Sequence, residues 1–103
     1  MRIDRVFEAL SEPTRRAMLD LLAAGEQSAG ELVDRFDVTQ PAISHHLRIL
    51  REAGLVKARK AGRQRLYRLQ ARPLRRIHDW VGHYEQFWTN KLDALGEHLR
   101  RNP

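Results

Sequence analysis

Apolar residues recur every three or four positions over most of this chain, and this spacing predicts a mainly helical fold. We expect helices over residues 3–10, 13–24 and 28–36, followed by a fourth over residues 39–54. Gly25 is predicted to end the second helix. The inward face of that helix is predicted to consist of Ala17, Met18, Leu21 and Leu22.

Only three residues, Asp37, Val38 and Thr39, separate the third and fourth helices. So short a link between two helices is typical of a helix-turn-helix. Such a turn commonly contains glycine, which is absent here. Asp37 is therefore the candidate for left-handed geometry, which aspartate tolerates better than most residues.

The fourth helix carries two unlike faces. Ile43, Leu47 and Leu50 form an apolar stripe on one of them. The other face is rich in hydrogen-bonding groups, namely Gln40, Ser44, His45 and Arg48. Thr39 is a suitable N-cap, Pro41 falls in the first turn, and Gly54 is suited to end the helix in a left-handed conformation. A buried seam behind an exposed polar row is what a helix in the DNA major groove needs. An ordinary amphipathic surface helix with a solvated polar face is the alternative.

Beyond Gly54 the period of the pattern changes to that of strands. Residues 55–60 and 64–69 are predicted to pair as a hairpin around a turn at 61–63. Six basic residues make this hairpin a basic wing: Lys57, Arg59, Lys60, Arg63, Arg65 and Arg68. Its tip is suited to contact a phosphate or the minor groove. A charged edge hairpin that resists aggregation is the alternative.

The last predicted element is a single long helix over residues 71–101. Its apolar stripe includes Leu74, Ile77, Val81, Tyr84, Trp88, Leu92, Leu95 and Leu99, with Trp80 and Phe87 beside it. A helix about 40 Å long is too long for the rest of the chain to cover. The surplus apolar surface therefore predicts association with a second copy. The predicted dimer interface consists of Ile3, Val6, Phe7, Val81, Tyr84, Trp88, Leu92 and Leu95.

The composition is that of one folded domain spanning residues 1–103, with 42% hydrophobic and 31% charged residues. The chain has no cysteine, which excludes disulfides and thiolate metal sites and fits a cytoplasmic location. No apolar run approaches the ~20 residues of a transmembrane helix, and the N-terminus has no signal pattern. We therefore expect no stable membrane association.

The net charge of +6 is unevenly distributed. Residues 38–76 contain eleven Lys or Arg and a single acid, Glu52, which gives +10, whereas the remainder carries −4. Arg outnumbers Lys by sixteen to three, and guanidinium groups suit phosphate and guanine better than ammonium groups do. This distribution predicts a surface that binds a polyanion.

Catalysis is not indicated by any motif. The chain lacks a cysteine nucleophile, a phosphate-binding loop and a convincing metal triad, so we expect neither an enzyme nor a cofactor. Ser44, His45 and His46 are adjacent on one helix and therefore do not face each other. Asp79 and His83 have i,i+4 spacing that could chelate a metal, but an exposed helix pair is the simpler interpretation. We predict no metal site.

The run QPAISHHLRILREAGLV, followed by R-x-x-G-R-x-x-x-Y, resembles the ArsR/SmtB family of bacterial repressors. The resemblance is close over residues 6–69 and loose over the last helix. It implies a winged helix-turn-helix homodimer that binds a palindromic operator, usually its own, and represses transcription. The DNA-contacting positions that it implies are Thr39, Gln40, Pro41, Ser44, His45 and Arg48 on the recognition helix, and Arg59, Arg63 and Arg65 on the wing. His46 falls where the family usually has a histidine, which implies a role in packing or backbone contact.

Two departures from the family concern metal sensing. Many members use cysteines at the start of the third helix, where this chain has Gln27-Ser28-Ala29-Gly30-Glu31-Leu32. The His, Asp and Glu residues of the last helix do not have the spacing of the second family metal site. The resemblance therefore implies the branch without a metal box, whose members often repress their own gene and are released by a membrane or partner protein. A metal-responsive repressor and a winged-helix protein-interaction module stay as alternatives. The expected location is the cytoplasm, at the nucleoid when the operator is bound.

Overall fold

The computed structural model describes residues 3–88 and Gly96. The elements run in the order α1 Ile3–Leu10, α2 Pro13–Ala24, β1 Gln27–Ser28, α3 Ala29–Arg35, α4 Gln40–Glu52, β2 Val56–Ala61, β3 Gln64–Leu69 and α5 Leu74–Gly82. The predicted mainly helical, winged helix-turn-helix fold is confirmed. Within the described residues, no helix is both long and apolar enough to cross a membrane.

Local chemistry accounts for the helix starts. Pro13 lies at the first turn of α2, where the Glu12 side chain accepts a hydrogen bond from the Arg15 backbone N–H. The predicted capping box of α3 is confirmed, with Ser28 N–H donating to Glu31 Oε1 at 3.2 Å and Glu31 N–H donating to Ser28 Oγ at 3.1 Å.

The end of α4 is fixed by Gly54, as its position in the sequence predicts. Gly54 has a φ of 77°, in the left-handed region. Its N–H donates to the Arg51 carbonyl, and the Leu55 N–H donates to the Leu50 carbonyl, both at 2.9 Å. These two bonds form a Schellman motif, which turns the chain sharply from the recognition helix into the first strand of the wing.

The core lies where α1 to α4 meet the sheet. Its buried members are Val6, Ala9, Met18, Leu19, Leu22, Leu32, Ile43, Leu47, Leu50, Ala53, Leu55, Val56 and Tyr67. The buried face of α2 differs from the prediction, because Leu19 is buried and Ala17 is exposed. Positions 15, 18, 19 and 22 share one side of a helix with 3.6 residues per turn, and that side includes Arg15.

The sheet has one strand more than predicted. The strand order is β1-β3-β2, and β1 pairs antiparallel with β3 through Gln27 with Tyr67 and Ser28 with Leu66. A strand of two residues has no periodicity to detect, so only its pairing with β3 defines it. In the hairpin, Val56 pairs with Leu69 and Ala61 pairs with Gln64, which shortens the predicted turn to two residues.

The helix-turn-helix link also differs from the prediction. No non-glycine residue of the described chain has a positive φ, so Asp37 is not left-handed. Instead, Phe36 adopts an extended conformation, with φ −116° and ψ 142°, and its carbonyl accepts from the Val38 N–H at 2.9 Å. The chain therefore reverses through a three-residue turn that needs no left-handed residue.

The C-terminal region is interrupted. α5 begins at Leu74 and ends at Gly82, a turn follows at His83 and Tyr84, and residues 85–88 are helical again. The prediction of one uninterrupted helix is thus wrong for this part of the chain. Glycine in a helix costs about 1 kcal/mol relative to alanine, and Gly82 lies at the break. The rest of the predicted helix lies outside the described residues, Gly96 apart, as do Leu92 and Leu95.

Candidate nucleic-acid interface

The polar face of α4 is exposed, and its apolar face is buried. Ile43, Leu47 and Leu50 are at most 3% exposed. All six residues predicted on the recognition helix are exposed: Thr39, Gln40, Pro41, Ser44, His45 and Arg48. The core therefore holds the helix from behind and presents one continuous polar surface to solvent.

Thr39 positions the start of this surface. Its Oγ1 accepts a hydrogen bond from the Ala42 N–H at 3.3 Å, as expected of an N-cap. The hydroxyl hydrogen is not used by that bond, so Thr39 can still donate to an acceptor on a ligand. Gln40 and Ser44 follow on the same side, one turn apart.

Arg48 is steered by its neighbour one turn earlier. Its Nη2 lies 3.3 Å from His45 Nδ1, so the guanidinium donates when that ring nitrogen is unprotonated. The contact lies on the exposed face of α4. Its remaining N–H groups are directed to no acceptor in the described chain.

The tip of the wing is a two-residue turn formed by Gly62 and Arg63. Gly62 has a φ of 63°, whereas no non-glycine residue of the described part has a positive φ. Glycine in the first central position followed by an ordinary second residue defines a type II′ hairpin turn. This geometry places the exposed Arg63 at the far end of the hairpin.

Arg59, another of the three predicted wing residues, already forms an ion pair with Glu26. Its Nε and Nη2 donate to the two carboxylate oxygens of Glu26 at 2.8 and 3.1 Å. The hydrogen bond from Arg59 holds the pKa of the Glu26 carboxyl below its ordinary value, and the same bond raises the pKa of Arg59. The pair joins the wing to the segment before β1, and it neutralises part of the wing charge.

The two faces of the hairpin separate residues that the sequence places close together. Side chains opposite each other on paired strands share a face, and successive residues alternate. Lys60 and Arg65 therefore share one face, while Lys57 and Arg68 share the other with Arg59. Arg59 and Arg65 do not form one cluster. Lys60 lies beside Arg65 instead. This proximity depends on the strand register, which the sequence alone did not provide.

A network behind α4 connects the recognition helix to α1 and α2. Arg15, only 7% exposed, donates through Nε to the Ala9 carbonyl at 2.8 Å and through Nη2 to the Glu8 carbonyl at 3.1 Å. Its Nη1 lies 3.2 Å from His46 Nδ1, and Glu12 Oε2 lies 3.9 Å from the same nitrogen. Partial burial lowers the pKa of His46, although the charge of Glu12 acts in the opposite direction. His46 thus packs against Arg15 and Glu12, which agrees with the packing role that the resemblance implied.

An aromatic surface is formed by α1, α5 and residues 84–88, which follow α5. Phe7 and Trp80 make an edge-to-face contact with ring centroids 5.6 Å apart, and Trp80 contacts Tyr84 at the same distance. Phe7, Trp80, Tyr84, Phe87 and Trp88 are between 39% and 58% exposed. Val6, which was also predicted to lie at the dimer interface, is only 1% exposed and belongs to the core. It therefore has almost no surface that a partner could contact.

Metal ligation finds no support in the described part of the chain, where no three His, Cys, Asp or Glu side chains come together. Asp79 lies next to His78 Nδ1 at 3.5 Å, on an exposed stretch of α5. His83 directly follows the last residue of α5, Gly82, and has α-helical backbone angles of φ −62° and ψ −22°.

In this chain, the second helix of a helix-turn-helix is buried on its apolar face and exposed on its polar face, and a basic wing follows it. This combination defines a winged helix-turn-helix DNA-binding protein. The sequence profile described as "Bacterial regulatory protein, arsR family" matches residues 12–58. The chain belongs to the ArsR family of bacterial regulatory proteins, as the sequence resemblance indicated. It is a DNA-binding transcriptional regulator rather than an enzyme.

Similar proteins match over most of the chain. The transcriptional repressor SdpR of Bacillus subtilis is 38% identical over 90 residues, which cover 87% of this chain and 100% of that protein. The HTH-type transcriptional regulator Rv2034 of Mycobacterium tuberculosis is 39% identical over 94 residues, covering 91% of this chain and 85% of the relative. An ArsR-like transcriptional regulator from Rhodococcus sp. RHA1 superposes with a TM-score of 0.77 at 32% identity, covering 98% of this chain and 93% of that one.

Proposed function

We propose that this protein is a homodimeric, sequence-specific repressor that binds a palindromic operator, including the one of its own operon. The observation that carries the proposal is the exposed polar row of α4, backed by buried Ile43, Leu47 and Leu50. Two such helices, one from each protomer, would enter successive major grooves about 34–36 Å apart.

Gln40 and Ser44 are assigned to the base edges. Both are exposed on the same side of the first two turns of α4, the part of a recognition helix that approaches the bases. Arg48 and Arg63 are assigned to phosphates, together with Arg65. Thr39 contributes mainly by capping α4, and Arg59 contributes less because Glu26 already binds it.

A second copy of this chain is assigned to the aromatic surface formed by α1, α5 and residues 84–88. Five large aromatic side chains on one side of a small domain exceed the scattered apolar exposure of a typical monomer. A two-fold dimer would bury the surface against its own equivalent and would match a palindromic operator. A protein effector that competes for this surface would release the repressor.

The function is tested by selecting bound duplexes from a random DNA pool with the purified protein. We expect an inverted repeat, bound by two protomers, that also occurs upstream of the protein's own gene. Titration of the selected duplex should give the same affinity with zinc and with a chelator. Enrichment of no sequence would contradict the proposal and favour a protein-interaction module.

The base contacts are tested with Gln40→Ala and Ser44→Ala. Each should reduce discrimination between the operator and a mismatched duplex by about 1–3 kcal/mol. Arg63→Ala should weaken binding to all DNA and lower the salt slope by about 1. Equal losses on operator and random DNA for Gln40→Ala and Ser44→Ala would remove these residues from the base contacts.

The dimer is tested by sedimentation of Tyr84→Glu. A carboxylate placed on the aromatic surface should dissociate the dimer, because it would have to be buried without a partner. His78→Glu is the matched control, since the His78 side chain is 86% exposed on α5, which directly precedes the turn that contains Tyr84. A Tyr84→Glu protein that sediments like the wild type would place the dimer interface elsewhere.

A further inference from the structure

A basic groove lies between the C-terminal half of α4 and strand β2. It has a volume of about 560 Å³ and is lined by Arg48, Arg51, Glu52, Val56, Lys57 and Ala58. We propose that this groove holds a backbone phosphate of the bound DNA between Arg51 and Lys57. The inference rests on the proposed DNA-binding function and adds two residues to the interface.

The groove continues the surface assigned to the bases. Arg51 follows Arg48 by three residues and Gln40 by eleven, about three helical turns, so all three share the exposed face of α4. Pro41, Ser44 and His45 line a shallow depression that also includes Arg48. Arg48 thus belongs to both features. A DNA strand that leaves the base-contacting end of α4 along this face meets the groove next.

The charges in the groove are available to a ligand. Among the described residues, no carboxylate forms an ion pair with Arg51 or Lys57, in contrast to Arg59. The one acid of the described lining, Glu52, lies 3.7 Å from Arg5 Nη1, which offsets its charge. A polyanion entering the groove therefore meets two cations that no described acid has neutralised.

The strand register supplies a second reason. Lys57 lies directly opposite Arg68 on the paired strand, and both side chains are exposed on one face. Like charges in this position repel each other. An anion beside Lys57 would reduce that repulsion. The Glu26 carboxyl already interacts with the charge of Arg68, so the anion would offset the part of the repulsion that Glu26 leaves.

The two cations suit a phosphate in different ways. The guanidinium of Arg51 can donate two parallel hydrogen bonds to phosphate oxygens, and the ammonium of Lys57 acts as a compact charge. One comes from the recognition helix and the other from the first strand of the wing. The bound phosphate would therefore fix the angle between α4 and the wing on the DNA.

The test is a titration of Arg51→Gln and Lys57→Gln on the selected operator and on a random duplex, from roughly 50 to 200 mM salt. Both variants weaken the same phosphate contact, so each should lose up to about 0.9 from the slope of log K against log salt, on both duplexes alike. Over this fourfold range, the affinity of each variant should therefore fall by up to about 3.5-fold less than that of the wild type. Preference for the operator should be unchanged, and Arg51→Lys should keep the wild-type slope.

Arg75→Gln is the matched control, because it removes one charge from an exposed residue of α5 that lines neither the groove nor the depression on α4. It should keep the slope. An unchanged slope in Arg51→Gln and Lys57→Gln would overturn the inference, and so would an equal loss in Arg75→Gln, which would report net charge alone. Operator binding by the wild type separates these outcomes from failure of the proposed function. A wild-type protein without DNA affinity would overturn both.

Discussion

Replacing Arg15 by alanine should destabilise this protein more than replacing Arg16, the other arginine of α2. Arg15 is buried, and its guanidinium donates to the Ala9 carbonyl at 2.8 Å and to the Glu8 carbonyl at 3.1 Å. These carbonyls belong to the last turn of α1, where no helical N–H can reach them. Arg15 thus completes the end of one helix, and through His46 Nδ1 at 3.2 Å it contacts another.

The size of the destabilisation depends on which hydrogen bonds the Glu8 and Ala9 carbonyls would keep without Arg15. The Glu8 carbonyl keeps bonds from the Ser11 N–H at 3.2 Å and from Ser11 Oγ at 2.6 Å, so its loss is small. The Ala9 carbonyl belongs to a fully buried residue, and leaving it unpaired costs about 1–3 kcal/mol. The favourable interaction of a cation with the C-terminal end of α1 adds about 0.3–1 kcal/mol. With the lost packing of the buried stem, we expect about 3 kcal/mol for Arg15→Ala.

Urea unfolding followed by circular dichroism measures this change, at two protein concentrations so that dimerisation is separated from folding. Arg16→Ala is the control, because Arg16 also caps α1, donating to the Leu10 carbonyl at 2.6 Å, but is exposed. Its loss should stay below about 1 kcal/mol, since water can replace an exposed partner. Arg15→Lys should fall between the two. Equal losses for Arg15→Ala and Arg16→Ala would refute the reasoning that burial makes this contact expensive to lose.

Three further outcomes are expected. Because the folded state lowers the pKa of His46, the unfolded chain binds its proton more readily, and the free energy of unfolding should fall as the pH drops below 6.5. Urea titrations across pH should show this slope reduced in His46→Gln and kept in His78→Gln. Ser28→Ala should cost about 1 kcal/mol in thermal unfolding through loss of the capping box, whereas Ser44→Ala should cost almost nothing. Arg59→Ala should lower the salt slope of DNA binding less than Arg63→Ala does, since Glu26 already binds Arg59; an equal loss would show that DNA displaces Glu26.

Local chemistry determined much of this protein from the sequence alone. The starts of α2 and α3 follow from Pro13 and from the Ser28 and Glu31 pair, and the end of α4 follows from Gly54. Each depends on residues within one turn, so neighbouring positions suffice to predict it. The polar and apolar faces of α4 follow in the same way from helical periodicity, which also sufficed to place its base-contacting candidates on one exposed surface.

The tertiary structure alone decided what depends on residues far apart in the chain. The strand β1 exists because Gln27 and Ser28 meet β3 nearly forty residues later. The engagement of Arg59 by Glu26 and the joining of Lys60 with Arg65 follow from strand pairing, which no local pattern specifies. The burial of Arg15 against α1 and His46 could not be predicted either, because a charged residue is buried only where distant groups satisfy it. Helical and capping rules act over one turn, whereas pairing and burial are set by the packing of the whole chain.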